Sequence, residues 1–178
     1  ESDDNDPRDR RRSDLLKGVK ILLVEDNEAN QMVVEELLGD LGAQITIAPD
    51  GLAAVDRLRR DGEDAYHLVL MDLHMPSMDG YDATRAIREE LAYTLPIIAL
   101  SADAFKEVKQ RCLAVGIHDH LGKPIDPNDL LTVIARWLFK AHGRRIPVAI
   151  ARTHAPKQAG AAANALDAIS LNRRQVTQ

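Results

Sequence analysis

Only one cysteine, Cys112, occurs in the 178 residues. An internal disulfide is therefore excluded, which fits a reducing, cytoplasmic setting. Cys112 falls in register with Phe105, Val108 and Val115 on a helical face, the pattern of a small buried apolar residue rather than a reactive thiol. No apolar run approaches the ~20 residues that a membrane helix needs, so no membrane contact is expected. No signal peptide is visible in the charged, polar start. The chain opens on Glu1 rather than Met and reads as a piece of something longer. No Gly-rich nucleotide loop is present, which argues against use of ATP. Aromatic residues are 3% of the chain, and none is interleaved with the charges of the basic tail, so a solvated tether is favoured there over a nucleic-acid arm.

What the chain does hold is an acidic centre. The net charge of −5 is unevenly spread. Residues 19–140 carry 12 basic and 21 acidic groups, and residues 141–178 carry six basic and one acidic. An acidic middle is a poor surface for nucleic acid. Residues 1–17, of mixed charge and almost without apolar positions before Leu15, read as a charged linker with a helical end. Residues 18–141 read as one domain, for which about 120 residues suffice to bury a core. Residues 142–178, rich in Ala and Arg, read as a linker or tail toward a further domain.

Within residues 18–141, strand and helix patterns alternate five times. "VKILLVE", "AQITIA", "HLVLMD", "PIIALS" and "IHDHLG" are short strand-like runs. Helices are predicted over Asn27–Leu41 with Val33, Val34, Leu37, Leu38 and Leu41 inward, and over Asp50–Asp61 with Leu52, Val55 and Leu58 inward. Two more cover Tyr81–Leu91, with Thr84, Ile87 and Leu91 inward, and Phe105–Gly116. The last begins at an Asp126 cap with Pro127 at its first position and carries Leu130, Ile134, Trp137 and Leu138. Such alternation with uniformly apolar strands predicts an α/β fold: a five-stranded parallel, doubly wound sheet with helices on both faces.

In open parallel sheets, sites form beyond the carboxyl ends of the strands. Glu25-Asp26, Asp72 and Ser101 stand at such ends, and Lys123-Pro124 follows the fifth strand. Three carboxylates at ~4 Å repel by about 4 kcal/mol per pair at an effective dielectric near 20. Lys123 and a divalent cation are the candidates to offset that. An all-oxygen site with few carboxylates suits Mg²⁺, which keeps waters and binds beside phosphate. A carboxylate held still by its strand beside Mg²⁺ is a nucleophile toward phosphorus, with Ser101 and Lys123 as donors to phosphoryl oxygens.

The stretches "ILLVEDNEANQMVVEELLGDLG", "LVLMDLHMPSMDGYDATRAIR", "LPIIALSADAF" and "HDHLGKPI" span nearly all of residues 19–140. They resemble the receiver domain of two-component response regulators, most of all those attached to hybrid sensor histidine kinases. The resemblance implies a flavodoxin-like (βα)5 fold with Asp72 as acceptor of a phosphoryl group from a phosphohistidine. It implies Mg²⁺ held by the Asp26 and Asp72 carboxylates and the His74 carbonyl, with Glu25 reaching the metal through water. It also implies Ser101 and Lys123 on the phosphoryl group, and a cis bond before Pro124. The implied partners are a histidine kinase phosphodonor and, where the signal is relayed onward, a histidine phosphotransfer domain.

Three positions depart from the commoner family pattern. Ser101 often appears as threonine, and serine keeps the hydroxyl. His74 often appears as glutamine; with Asp103 it is expected to flank the pocket mouth and modulate dephosphorylation. The switch position, usually Tyr or Phe, is His120, whose charge changes near pH 6.5 in an unperturbed ring. Three other readings carry less weight. A haloacid-dehalogenase-type enzyme wants an aspartate where His74 stands. A flavodoxin-like cofactor binder wants a phosphate loop where "EDNEAN" stands. An inactive pseudo-receiver used for docking sits poorly with the intact acid set.

Overall fold

The computed structural model describes residues 7–103 and 106–147. Helix α1 (Pro7–Ser13) is followed by β1 (Lys20–Val24), α2 (Glu28–Gly39), β2 (Gln44–Ala48) and α3 (Gly51–Asp61). A single 3₁₀ turn (Glu63–Ala65) leads to β3 (Leu68–Asp72), α4 (Gly80–Glu89), β4 (Ile97–Ser101), α5 (Lys106–Val115), β5 (Asp119–Gly122) and α6 (Pro127–His142). The five expected strands are present and form one parallel sheet in the order β2-β1-β3-β4-β5.

The chain steps from β1 outward to β2, then returns past β1 to β3, β4 and β5. Right-handed crossovers therefore put α2 on one face and α3, α4 and α5 on the other. The direction of winding reverses between β1 and β3, and a crevice opens at the carboxyl ends of those two strands. Central strands β3 and β4 are buried along their whole length, whereas edge strands β2 and β5 are partly open. That burial explains why "LVLM" and "IIAL" are continuously apolar while "IHDHLG" is not.

Side-chain caps set the helix starts. Asn27, Asp50, Asp79 and Asp126 each accept a backbone N–H of the first turn, satisfying donors that have no partner within the helix. Pro127 occupies the expected first position of α6. Two expected core residues lie outside. Val33 is 49% and Leu52 is 51% exposed. In α2 the buried arc is centred on Val34 and Leu38, and in α3 on Gly51, Ala54, Val55 and Leu58. At 100° per residue, Val33 and Leu52 fall about 110–120° around from those centres. Cys112 is buried, with Val108 and Val115 against the same core. Its predicted neighbour Phe105 lies outside the described residues, as does the tail from residue 148.

The expectation of a solvated linker over residues 1–17 does not extend to its end. Leu15 and Leu16 are buried at 7% and 0% exposure. The Leu16 amide donates to the Leu41 carbonyl at 2.6 Å. Gly42 (φ +90°) makes this approach possible, since a Cβ there would stand 3.2 Å from the Lys17 nitrogen and closer still to the Ser13 carbonyl. At the other end of the domain, Arg144 Nη2 donates to the Lys17 carbonyl at 2.6 Å, and His142 Nε2 lies 2.8 Å from the His67 carbonyl. Leu16→Ala should therefore cost about 2–5 kcal/mol in urea denaturation, while Leu52→Ala should stay within about 0.5 kcal/mol of the parent. A silent Leu16→Ala would show that the segment is dispensable to the fold.

Candidate functional site

Every strand-end residue expected at the site is found around the crevice between β1 and β3. Glu25 follows β1 and is 1% exposed, Asp72 ends β3 at 3%, and Ser101 ends β4 at 0%. Asp26 lies at the open rim. One carboxylate oxygen from each of Glu25, Asp26 and Asp72 falls within 4.8 Å of the others. Lys123 enters from beyond β5. Its Nζ lies 2.8 Å from Glu25 Oε2 and 3.3 Å from Asp72 Oδ2. The Lys123–Pro124 bond is cis, as expected, and the Lys123 amide donates to the Ser101 carbonyl at 2.8 Å.

Two buried acids are tolerated because their oxygens are occupied. Glu25 Oε1 accepts the Asn27 amide at 3.2 Å, and Asp72 Oδ1 accepts the His74 amide at 3.1 Å. Burial drives the Glu25 carboxyl upward, but the Lys123 hydrogen bond and the Asn27 amide outweigh it and hold the group below its ordinary value. At Asp72 burial prevails. With the Glu25 charge adding to it, and the His74 amide and Lys123 opposing, the carboxyl is pushed up to about 6. Lys123 pays a burial penalty that favours its neutral form, yet the two carboxylates raise its pKa above the ordinary lysine value.

The backbone is shaped around Asp72. A Cβ at Gly80 would run into the Asp72 carbonyl oxygen and stand 2.9 Å from the Leu73 Cα. The Thr84 hydroxyl donates to the Gly80 carbonyl at 2.7 Å from full burial and pins the start of α4 there. At the mouth, the exposed side chains of His74 and Asp103 meet, with Nε2 and Oδ2 3.5 Å apart. The Asp103 amide donates to Ser101 Oγ at 3.0 Å, so the hydroxyl's orientation is set by its own loop. His120 is half-buried on β5, and its Nε2 has no hydrogen-bond partner among the described residues. Burial pushes its pKa down, so the ring's charge change falls below the unperturbed value near 6.5.

An all-oxygen donor set, half buried and with an open rim, fits a small hard divalent cation. Sequence reasoning missed the groups that hold these donors: Asn27, Gln31 (whose Nε2 donates to the Glu25 carbonyl at 2.7 Å) and Gly80. Asn27 had a visible signal, a capping residue directly before a helical pattern; the other two act through the backbone and leave no pattern.

The Asp72 shift has a consequence for stability. Its folded-state pKa, about 6, lies above the unfolded value near 3.9. Its favourable contribution is therefore complete below about pH 4 and is lost as pH rises through about 6. Without metal at pH 7.5, Asp72→Asn should be more stable than the parent by up to about 3 kcal/mol in urea denaturation. That gap should close toward pH 4, and Mg²⁺ should narrow it at neutral pH. A less stable variant at pH 7.5 would contradict the assignment.

With this geometry in hand, comparison with known proteins is direct. The chain matches the response regulator receiver domain family over residues 21–135. It is 42% identical over 122 residues to the sensor protein GacS of Pseudomonas syringae pv. syringae, covering 66% of this chain and 13% of that protein. It thus spans a small part of the curated relatives it matches. Among solved structures it is similar to the receiver domain of the sensor histidine kinase PA1611 from Pseudomonas aeruginosa PAO1, described with a magnesium ion coordinated in its active-site cleft. That likeness has 42% identity, a TM-score of 0.60, and covers 68% of this chain and 98% of that one. The receiver domain of Ssk1 from Saccharomyces cerevisiae, solved with the histidine phosphotransfer protein Ypd1, matches at 28% identity with a TM-score of 0.64, covering 69% and 91%. Sheet order, acid cluster and sequence agree, and the chain belongs to the response regulator receiver domain family.

Proposed function

We propose that Asp72 accepts a phosphoryl group from a phosphohistidine in a Mg²⁺-dependent reaction, within a hybrid histidine kinase. The observation that carries this reading is the joint presence of a nearly buried Asp72 carboxylate, a cation bridging it to Glu25, and a third carboxylate within 4.8 Å. Mg²⁺ bound by Asp26, Asp72 and the His74 carbonyl, with Glu25 behind, would draw charge from the phosphoryl oxygens. The Asp72 oxygen attacks phosphorus as the P–N bond to the donor imidazole breaks, leaving an acyl phosphate on Asp72. With its carboxyl at about 6, Asp72 is mostly ionised at neutral pH and ready to attack.

Lys123 neutralises the growing charge, and the Ser101 hydroxyl supplies a neutral donor. To do so, Ser101 Oγ turns from its present role as acceptor of the Asp103 amide toward the phosphoryl group. His120 follows into the space vacated, as the switch residue. A ring kept neutral by burial can make that move at physiological pH without carrying a charge inward. His74 and Asp103, already paired across the mouth, would govern the access of water to the acyl phosphate. The exposed Met32 (68%) and Val33 (49%) on α2, beside the cleft, offer apolar surface to a phosphodonor or phosphotransfer domain. No helix among the described residues is long and apolar enough to cross a membrane.

Intact mass after incubation with a small phosphodonor and Mg²⁺ should show one added phosphoryl group. The adduct should be absent from Asp72→Asn and from a metal-free control. If the parent gains no adduct, and beryllofluoride causes no change in Trp137 fluorescence, the reading fails in favour of a docking module. Once the adduct is formed, His74→Gln or Asp103→Ala should change its lifetime at least about threefold; unchanged lifetimes would remove both residues from the hydrolysis step.

A further inference from the structure

Asp26 is the one acid of the cleft with no hydrogen bond of its own among the described residues. Glu25 and Asp72 are held by amides and by Lys123, while Asp26 stands exposed at the rim. Its carboxylate nevertheless points into the cluster. Its aim must come from the backbone, and the backbone at this point has an unusual support.

Strands β1 and β2 pair in register up to Val24 and Ala48, and the Glu25 amide still donates to the Ala48 carbonyl at 3.1 Å. In a continued parallel ladder the Glu25 carbonyl would next meet the amide of residue 50. The partner strand has ended there. Pro49 has no N–H, and Asp50 has turned away to cap α3. A carbonyl of a residue 1% exposed would be left without a donor, at a cost of about 1–3 kcal/mol. Gln31, on the first turn of α2, fills the gap: its Nε2 donates to that carbonyl at 2.7 Å. The Glu25 carbonyl belongs to the Glu25–Asp26 peptide plane, so whatever fixes this oxygen also fixes the direction in which Asp26 leaves the strand.

We propose that Gln31 is a positioning residue for the metal site, standing in for the missing ladder donor and thereby aiming the Asp26 carboxylate at Asp72. The role of the cleft as a Mg²⁺ site rests on the function proposed above; the positioning of the peptide plane does not. Gln31 itself touches neither metal nor phosphoryl group. Hydrogen-bond partners one step removed from a metal commonly set its affinity by about tenfold or more.

The test uses Gln31→Met, which keeps the side chain's length and removes its donor. As a control for general destabilisation, Val55→Ala opens a cavity in the α3 core, where Val55 is 2% exposed. Calorimetric titration with Mg²⁺ should show about five- to tenfold weaker binding for Gln31→Met and parent-like binding for Val55→Ala. In metal-free buffer, hydrogen exchange of the Asn27 amide, which reports on the Glu25 carboxylate, should rise about tenfold relative to the Leu70 amide in Gln31→Met alone. Parent-like Mg²⁺ affinity in Gln31→Met, equal losses in both variants, or unchanged Asn27 exchange would each overturn the proposal. If the parent itself binds no Mg²⁺, the receiver reading fails, and the exchange measurement alone decides the positioning of the peptide.

Discussion

One ammonium group between two buried carboxylates organises this end of the molecule. Lys123 Nζ lies 2.8 Å from Glu25 and 3.3 Å from Asp72. Without it, two acids that are almost wholly screened from water would face each other across the β1–β3 crevice, and the interior would favour their neutral forms. The lysine helps to hold the Glu25 carboxyl below its ordinary value, while burial still pushes the Asp72 carboxyl up to about 6. The site is thus held near an electrostatic balance in which one more positive charge is welcome and one more negative charge is disruptive. A divalent cation and a phosphoryl group arriving together satisfy both conditions.

The sheet supplies the stiffness that such a balance needs. Asp72 is the last residue of a strand buried on both sides, and Ser101 ends its equally buried neighbour. Their backbones are held in the ladder, so the Asp72 carboxylate cannot escape its neighbours Glu25 and Asp26 by a shift of its strand. Gly80 lets α4 start hard against the Asp72 carbonyl. The open rim holds the parts that have room to move: Asp26, His74, Asp103 and the half-buried His120.

Much of this was legible in the sequence because its signals are local. Five strand-like runs, each followed by helical spacing, point to a parallel sheet, and strand ends of the same polarity bring Glu25, Asp26, Asp72, Ser101 and Lys123 to one edge. The resemblance to receivers added the roles of His74, Asp103 and His120. What escaped depended on three-dimensional approach. Val33 and Leu52 are apolar and sit beside core positions in the sequence, yet they fall well around the helix from the buried arc. Leu15 and Leu16 follow a charged run with no period, and the contact of the Leu16 amide with the Leu41 carbonyl beside Gly42 forms only on folding. Gln31 and Gly80 act on carbonyl oxygens, which carry no residue-specific pattern.

The contact between Arg144 and the Lys17 carbonyl has a further consequence. Lys17 lies just before β1, at the amino ends of the strands, so the points where the chain enters and leaves this fold are neighbours, at the pole opposite the cleft. A module of this geometry behaves as a closed loop hung from a single point. Such a fold can interrupt a longer polypeptide while asking for little more than the width of two adjacent strands of chain. The same junction is a short mechanical lever: a pull between the flanking segments would load the Arg144 contact and the Leu16 anchor first, before it strained Asp72.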